Sequence, residues 1–208
     1  MRLLDRELPD ALRKQWDSLD FSEQAFLGAV GLSVPAGEKG RSVLEMTWSR
    51  PTCEVNGMGG GYQGAGFKTV IPAEARAKIS FRLVHKQDPE RIRDAFRAFI
   101  RARIPADCTV EFHPHGGSPA IQLPYDSPEL TKARDALSRE WGKPALLLGG
   151  GGSIPVVGDF QTYLGITSLM VGFALDDDRI HSPNEKYNLD SFHKGQRSWA
   201  RILDSLAK

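Results

Sequence analysis

Ala75-Arg76-Ala77-Lys78-Ile79-Ser80-Phe81-Arg82-Leu83-Val84, with Asp88-Pro89-Glu90 close behind it, decides the fold class of this chain. The first stretch alternates apolar and polar residues with period two, which predicts a strand with one buried face. Asp88 is a cap and Pro89 sits just inside it, where a missing N–H costs nothing. Ile92, Phe96, Phe99 and Ile100 then mark one face of a helix running to Arg103. Cys108–His113 alternates again and predicts another strand. Upstream, Thr52–Asn56 predicts a strand that enters the glycine-rich loop Gly57–Gly66. Helical spacing is read at 4–18, with Leu12 and Trp16 on one face. A second helix runs from the Ser22 cap to a stop at Gly31, and a third occupies 37–48, closed by Arg50-Pro51. Helices set against alternating strands give an α+β layer.

The texture changes at the proline-rich stretch from Pro119 to Pro128. Beyond it the pattern predicts helices at 128–141, 154–164 and 190–206, with short apolar strands at 145–148 and 168–174. Short apolar strands between helices fit a sheet covered on both faces. Two such strands are too few to close a doubly covered core on their own. This half therefore reads as part of an α/β domain.

The whole chain has 208 residues, 40% hydrophobic and 25% charged, a soluble globular composition. Its 27 basic and 26 acidic residues leave a net charge of +1, which argues against a nucleic-acid partner or a polybasic membrane anchor. No apolar run approaches the roughly 20 residues that span a bilayer. The opening Met-Arg-Leu-Leu-Asp-Arg-Glu mixes charges and shows no signal peptide, so a cytoplasmic location is expected. Cys53 and Cys108 are too few for a disulfide scaffold or a cysteine-rich zinc site. Counting leaves a single bridge open, and two reduced thiols are expected in the cytoplasm.

Several segments carry residues suited to chemistry. His181 lies in Asp176-Asp177-Asp178-Arg179-Ile180-His181-Ser182-Pro183-Asn184-Glu185, after an apolar segment, where open α/β sheets place ligands. It reads as a metal ligand or general base, or as a loop histidine bonded to a carboxylate. One histidine does not make a zinc site, which needs three or four ligands. The three aspartates read as a solvated acidic loop or a cation site. Gly149-Gly150-Gly151-Gly152-Ser153 before a helix reads as an anion-holding loop or a tight turn, and lacks the Lys-Ser/Thr ending of a phosphate loop. Arg82 shares a strand face with Arg76, Lys78 and Ser80 and reads as a carboxylate clamp or a solvated face. His113 and His115 are an i, i+2 pair with metal-ligating spacing.

Taken in order, Trp48-Ser49-Arg50-Pro51-Thr52, Gly60–Ala73 with its Lys68-Thr69-Val70-Ile71-Pro72, Ala77–Val84, Gly151-Gly152-Ser153-Ile154-Pro155 and His181-Ser182-Pro183-Asn184-Glu185-Lys186 resemble the M20 family of metallopeptidases. The branch they are most similar to is that of the carnosine and cytosolic non-specific dipeptidases. The resemblance implies zinc-dependent hydrolysis of dipeptides or related N-acyl amino acids, with two zinc ions per subunit. It implies a catalytic α/β domain and a ferredoxin-like lid of two helices on a four-stranded antiparallel sheet, which makes a homodimer. Residues 1–118 then correspond to the lid, without its first strand, and 119–208 to the C-terminal segment of the catalytic domain. By the same resemblance His181 is a zinc ligand, Arg82 grips the terminal carboxylate of a small peptide substrate, and Thr69 and His115 touch substrate. Gly152 and Ser153 hold its backbone, and Glu185 is a supporting carboxylate. The family's His-x-Asp motif, bridging Asp and paired Glu residues precede the lid and have no counterpart here, so the chain alone is expected to be inactive. Gly149 and Gly150 stand where family members carry Arg-Glu. The alternatives are a non-catalytic dimerisation module and, resting only on the glycine loop, a phosphate-binding protein.

Overall fold

The computed structural model describes residues 8–150 and 154–208. Residues 4–7 of the first expected helix, and Gly152 and Ser153, lie outside them. The chain forms two compact units, Met1–Gln122 with Gly149–Gly158, and Leu123–Leu148 with Asp159–Lys208.

In the first unit, helices α1 (Asp10–Asp17), α2 (Glu23–Ala29) and α3 (Val43–Trp48) precede strands β1 (Thr52–Gly60) and β2 (Ala75–Arg82) and helix α4 (Pro89–Arg101). Ser22 caps α2 by accepting from the Ala25 N–H, as its sequence position predicts. The third helix is shorter than the expected 37–48. Gly37 and Gly40 sit at φ +134° and +81°, outside helical space, and Ser42 and Glu45 close a capping box that starts the helix at Val43. Leu8, Trp16 and Leu44 form a buried cluster, with the Trp16 and Trp48 rings edge to face at 5.1 Å. Glu45 is buried beside it and takes a 2.7 Å bond from Arg13.

The strand expected over 75–84 forms over Ala75–Arg82, two residues shorter, and β2 pairs antiparallel with β1. Phe81 turns to α4 and meets Phe96 at 5.3 Å, and Phe96 meets Phe112 at 6.5 Å. β1 runs further into the glycine stretch than the expected Asn56, with a register shift between Val55 and Gly57. The four-stranded sheet is corrected: among the described residues the sheet has two strands. Cys108–His113 does alternate, with Val110 and Phe112 half-buried and Glu111 and His113 exposed, but it forms no strand. The pattern records which face is covered, whereas a strand requires a second chain segment at ladder distance.

In the second unit, helices α5 (Pro128–Trp141) and α7 (Leu189–Leu206) pack against each other. Helix α6 (Pro155–Tyr163) begins in the first unit's residues and ends in the second's. Small residues let α5 and α7 approach: Ala133, Ala136, Ser191, Gly195 and Ser198 are all buried. The Ser198 hydroxyl accepts a 3.0 Å bond from the Trp141 indole, and the Trp141 ring stacks on Phe173. A Cβ on Gly195 would lie 3.1 Å from the Phe173 ring. The expected strands at 145–148 and 168–174 form no strand, and they are covered on one face rather than two. Leu169 and Val171 pack on the α5–α7 core, while Met170 is 52% and Leu148 63% exposed.

Glu140 of α5 ties the pair electrostatically, accepting from Arg197 at 2.6 Å and Arg201 at 2.8 Å. Those bonds, Arg201's first, hold its carboxyl below the ordinary value of 4.5. A carboxyl depressed in the folded state adds stability above its unfolded pKa, and that stability is lost as pH falls through the folded value. Melting temperature should therefore fall more between pH 6 and pH 3 in the natural chain than in Glu140→Gln. Parallel melting curves for the two across that range would remove this role.

Candidate functional site

Arg82 ends β2, exposed and opposite Thr52 on β1. Residues paired across an antiparallel ladder share a face. Arg76, Lys78, Ser80 and Arg82 therefore lie on one side with Thr52, Glu54, Gly57 and Gly59, and Phe81 lies on the other against α4. The face is basic, with Glu54 opposite Ser80 as the acid within it. Cys53, on the other side, is exposed and unbridged, as is Cys108. Burial first, then the neighbouring Glu54 charge, pushes the Cys53 thiol up from 9.0.

The connection from β1 to β2 carries Thr69. It folds on Tyr62, whose hydroxyl donates to the Ala65 carbonyl at 3.1 Å and whose ring lies 4.6 Å from the Lys68 ammonium. A Cβ on Gly64 would overlap the end of the Tyr62 side chain, so a larger residue there would require that ring to move. Thr69 is exposed, flanked by the Val70 N–H bond to Lys68 O. His115 is exposed too, and its carbonyl accepts from Arg93 of α4 at 3.2 Å. Arg82, Thr69 and His115 thus all belong to the first unit. At the glycine loop, a Cβ on Gly149 would overlap the Trp48 backbone, while one on Gly150 would meet nothing within 4 Å. Gly149 is therefore held to its residue type by a close approach, and Gly150 is not.

His181 and Glu185 share one loop of the second unit. Three of its residues occupy the left-handed region: Arg179 at φ 55°, His181 at 62° and Asn184 at 60°. For residues other than glycine this conformation costs roughly 1–2 kcal/mol each, less for asparagine. Asp178 opposes that cost. It is 1% exposed, and its Oδ2 accepts from the Leu175 N–H at 2.8 Å. Its own N–H donates to Leu175 O, and its carbonyl accepts from the Lys186 N–H at 3.0 Å. The Lys186 ammonium reaches Asp178 at 3.4 Å and Asp177 at 2.8 Å. The Asp177 contact, chief among the causes, lowers the Asp177 pKa and raises that of Lys186. Asp178, Glu185 and Lys186 line an open cleft of 610 Å³ with Ala174, Ile180 and Tyr187.

The acidic triplet is therefore not uniformly solvated: its third member is buried against Lys186. Sequence reasoning missed Asp178 and Lys186. The available signal was Asp178 three residues after Leu175, the spacing at which a carboxylate reaches back to a backbone N–H. Among the described residues no group of three or more His, Cys, Asp or Glu converges. Those residues do not by themselves fit a metal centre, since a bound zinc needs three or four ligands.

The chain is similar to solved metallopeptidase structures. The M20 metallo-carboxypeptidase Sso-CP2 from Sulfolobus solfataricus superposes with a TM-score of 0.80 at 25% identity, over 95% of this chain and 45% of that one. The Cys-Gly metallodipeptidase DUG1 of Saccharomyces cerevisiae is 28% identical over 193 residues, 90% of this chain and 40% of the relative. The human Beta-Ala-His dipeptidase is 25% identical over 175 residues, 80% and 33% respectively. Peptidase family M20/M25/M40 matches residues 19–205, and the chain belongs to it. The chain spans about two fifths of the length of the DUG1 relatives it matches.

Proposed function

We propose that this chain supplies the substrate grip and one metal ligand of a zinc-dependent dipeptidase, acting on small peptides with a free C-terminal carboxylate. Residues 1–118 serve as the lid, through which two copies pair, and 119–208 as the C-terminal segment of the catalytic domain. Arg82 carries the reading. It stands exposed at the end of a paired strand, so the pleat fixes the face from which its side chain leaves. A guanidinium on that face can give two parallel hydrogen bonds to a carboxylate. Thr69 and His115 contact the substrate from the same unit, Gly152 and Ser153 hold its backbone, and Glu185 supports His181. Zinc, when bound, supplies a Lewis acid for the scissile carbonyl and an activated water. The ligand count among the described residues means that no step through it is assigned to this chain alone.

The test has two arms on the purified 208-residue chain. A Cys-Gly or β-Ala-His dipeptide should shift the NMR resonances of Arg82 and its strand neighbours, and its C-terminal amide should not. Zinc-dependent cleavage of either dipeptide should be absent. Equal shifts with peptide acid and peptide amide would overturn the carboxylate grip. Cleavage by the chain alone would overturn the ligand count.

A further inference from the structure

We propose that Asp178 is the positioning residue for His181, holding the loop that presents the imidazole in its left-handed conformation. The inference rests on the reading that His181 acts at the site. The ties across the loop converge on one residue. Leu175, where the loop begins, is bonded to Asp178 through both its N–H and its carbonyl. Lys186, where the loop ends, is bonded to it through its N–H and its ammonium. Between these ends lie Arg179, His181 and Asn184, each in the left-handed region.

Asp177, beside it, does not do this work. The Asp177 side chain is 72% exposed and meets the Lys186 ammonium from solvent, whereas that of Asp178 is 2% exposed. A further bond, Ser182 N–H to Arg179 O at 2.9 Å, shapes the turn around His181 within the frame that Asp178 closes. Asp178 acts on the imidazole through the backbone alone. A residue serving only general stability would couple to the α5–α7 core. A positioning residue acts on the loop and leaves that core in place.

Three measurements on the full chain test this. In the natural chain, native-state hydrogen exchange should show the Leu175 and Lys186 amides protected at least about 10-fold relative to an unstructured peptide. Exchange at the unstructured rate would overturn the proposal without any variant. In Asp178→Ala, tryptic cleavage after Arg179 should accelerate about 10- to 100-fold, since the Leu175 N–H loses its acceptor and the Lys186 ammonium its carboxylate, while the main-chain bonds of residue 178 stay available. The His181 imidazole NMR signal should move or broaden while that of His193 on α7 stays. Asp178→Asn keeps an oxygen for the Leu175 N–H and loses the charge facing Lys186, so it should rescue most of the His181 signal. Unchanged cleavage and an unchanged His181 signal in Asp178→Ala would overturn the proposal, as would equal disturbance of His181 and His193. Zinc content of a full-length metallodipeptidase carrying this loop, measured with and without the His181→Ala substitution, tests the parent reading separately. Equal zinc content would sink the ligand role and leave the loop measurements standing.

Discussion

Replacing Arg82 with lysine in a metallodipeptidase that carries the β1–β2 hairpin of this chain is expected to lower kcat/KM about 10- to 100-fold on a dipeptide with a free carboxylate. Charge is conserved in that substitution, so the loss reports geometry. The guanidinium offers two parallel donors in a planar fork, and the ammonium offers a point charge on a flexible stem. One charge-assisted bond lost in a closed site costs about 1.5–3 kcal/mol. The penalty should shrink on substrates whose C-terminus is amidated, because the fork then has no anion to grip. A solvated strand residue would change stability by no more than about 0.5 kcal/mol and leave kinetics untouched. Equal kinetics for arginine and lysine on the free acid would remove Arg82 from the site.

The other large effect concerns the core. Ile202 is 0% exposed and packs with Ala133 and Ala136, with Leu137, Leu169, Val171 and Leu206 closing around it. Ile202→Ala should cost about 2–5 kcal/mol, because the lost transfer energy is compounded by a cavity that the helix pair cannot fully collapse. That is a large share of the roughly 5–15 kcal/mol that stabilises a domain. Urea unfolding read through Trp141 and Trp199 should show the midpoint falling accordingly, and Ile202→Val should cost only about 0.5–1.5 kcal/mol. An alanine variant within 0.5 kcal/mol of the natural chain would mean that this cluster does not hold the second unit together.

What the sequence made legible follows a physical line. The strand at 75–82 and the helix after Asp88-Pro89 were readable because their signals are local: a pleat period, a cap, a proline at the first turn. The segment at 108–113 carries the same alternation and those at 145–148 and 168–174 are short apolar runs, yet none is a strand. Pairing depends on a distant segment that the period does not encode. The candidate site divides in the same way. The residues resembling a known motif, Arg82, Thr69, His115, His181 and Glu185, could be named from their order along the chain. Asp178 could not, because an aspartate amid two others looks solvated until the backbone turns it inward against Lys186. The left-handed φ at His181 is equally invisible, because residue type alone does not select that conformation.

The tie between Leu175, Asp178 and Lys186 also sets a clock. Its bonds join residues three to eight positions apart. Closing a segment of about ten residues takes on the order of 10–100 ns. The Glu140 bonds to Arg197 and Arg201 span 57 and 61 residues and form only once two helices have found each other. The loop that presents His181 can therefore be sampled many times before the helices beside it dock. Its conformation is available early in refolding, before the core that supports it is complete.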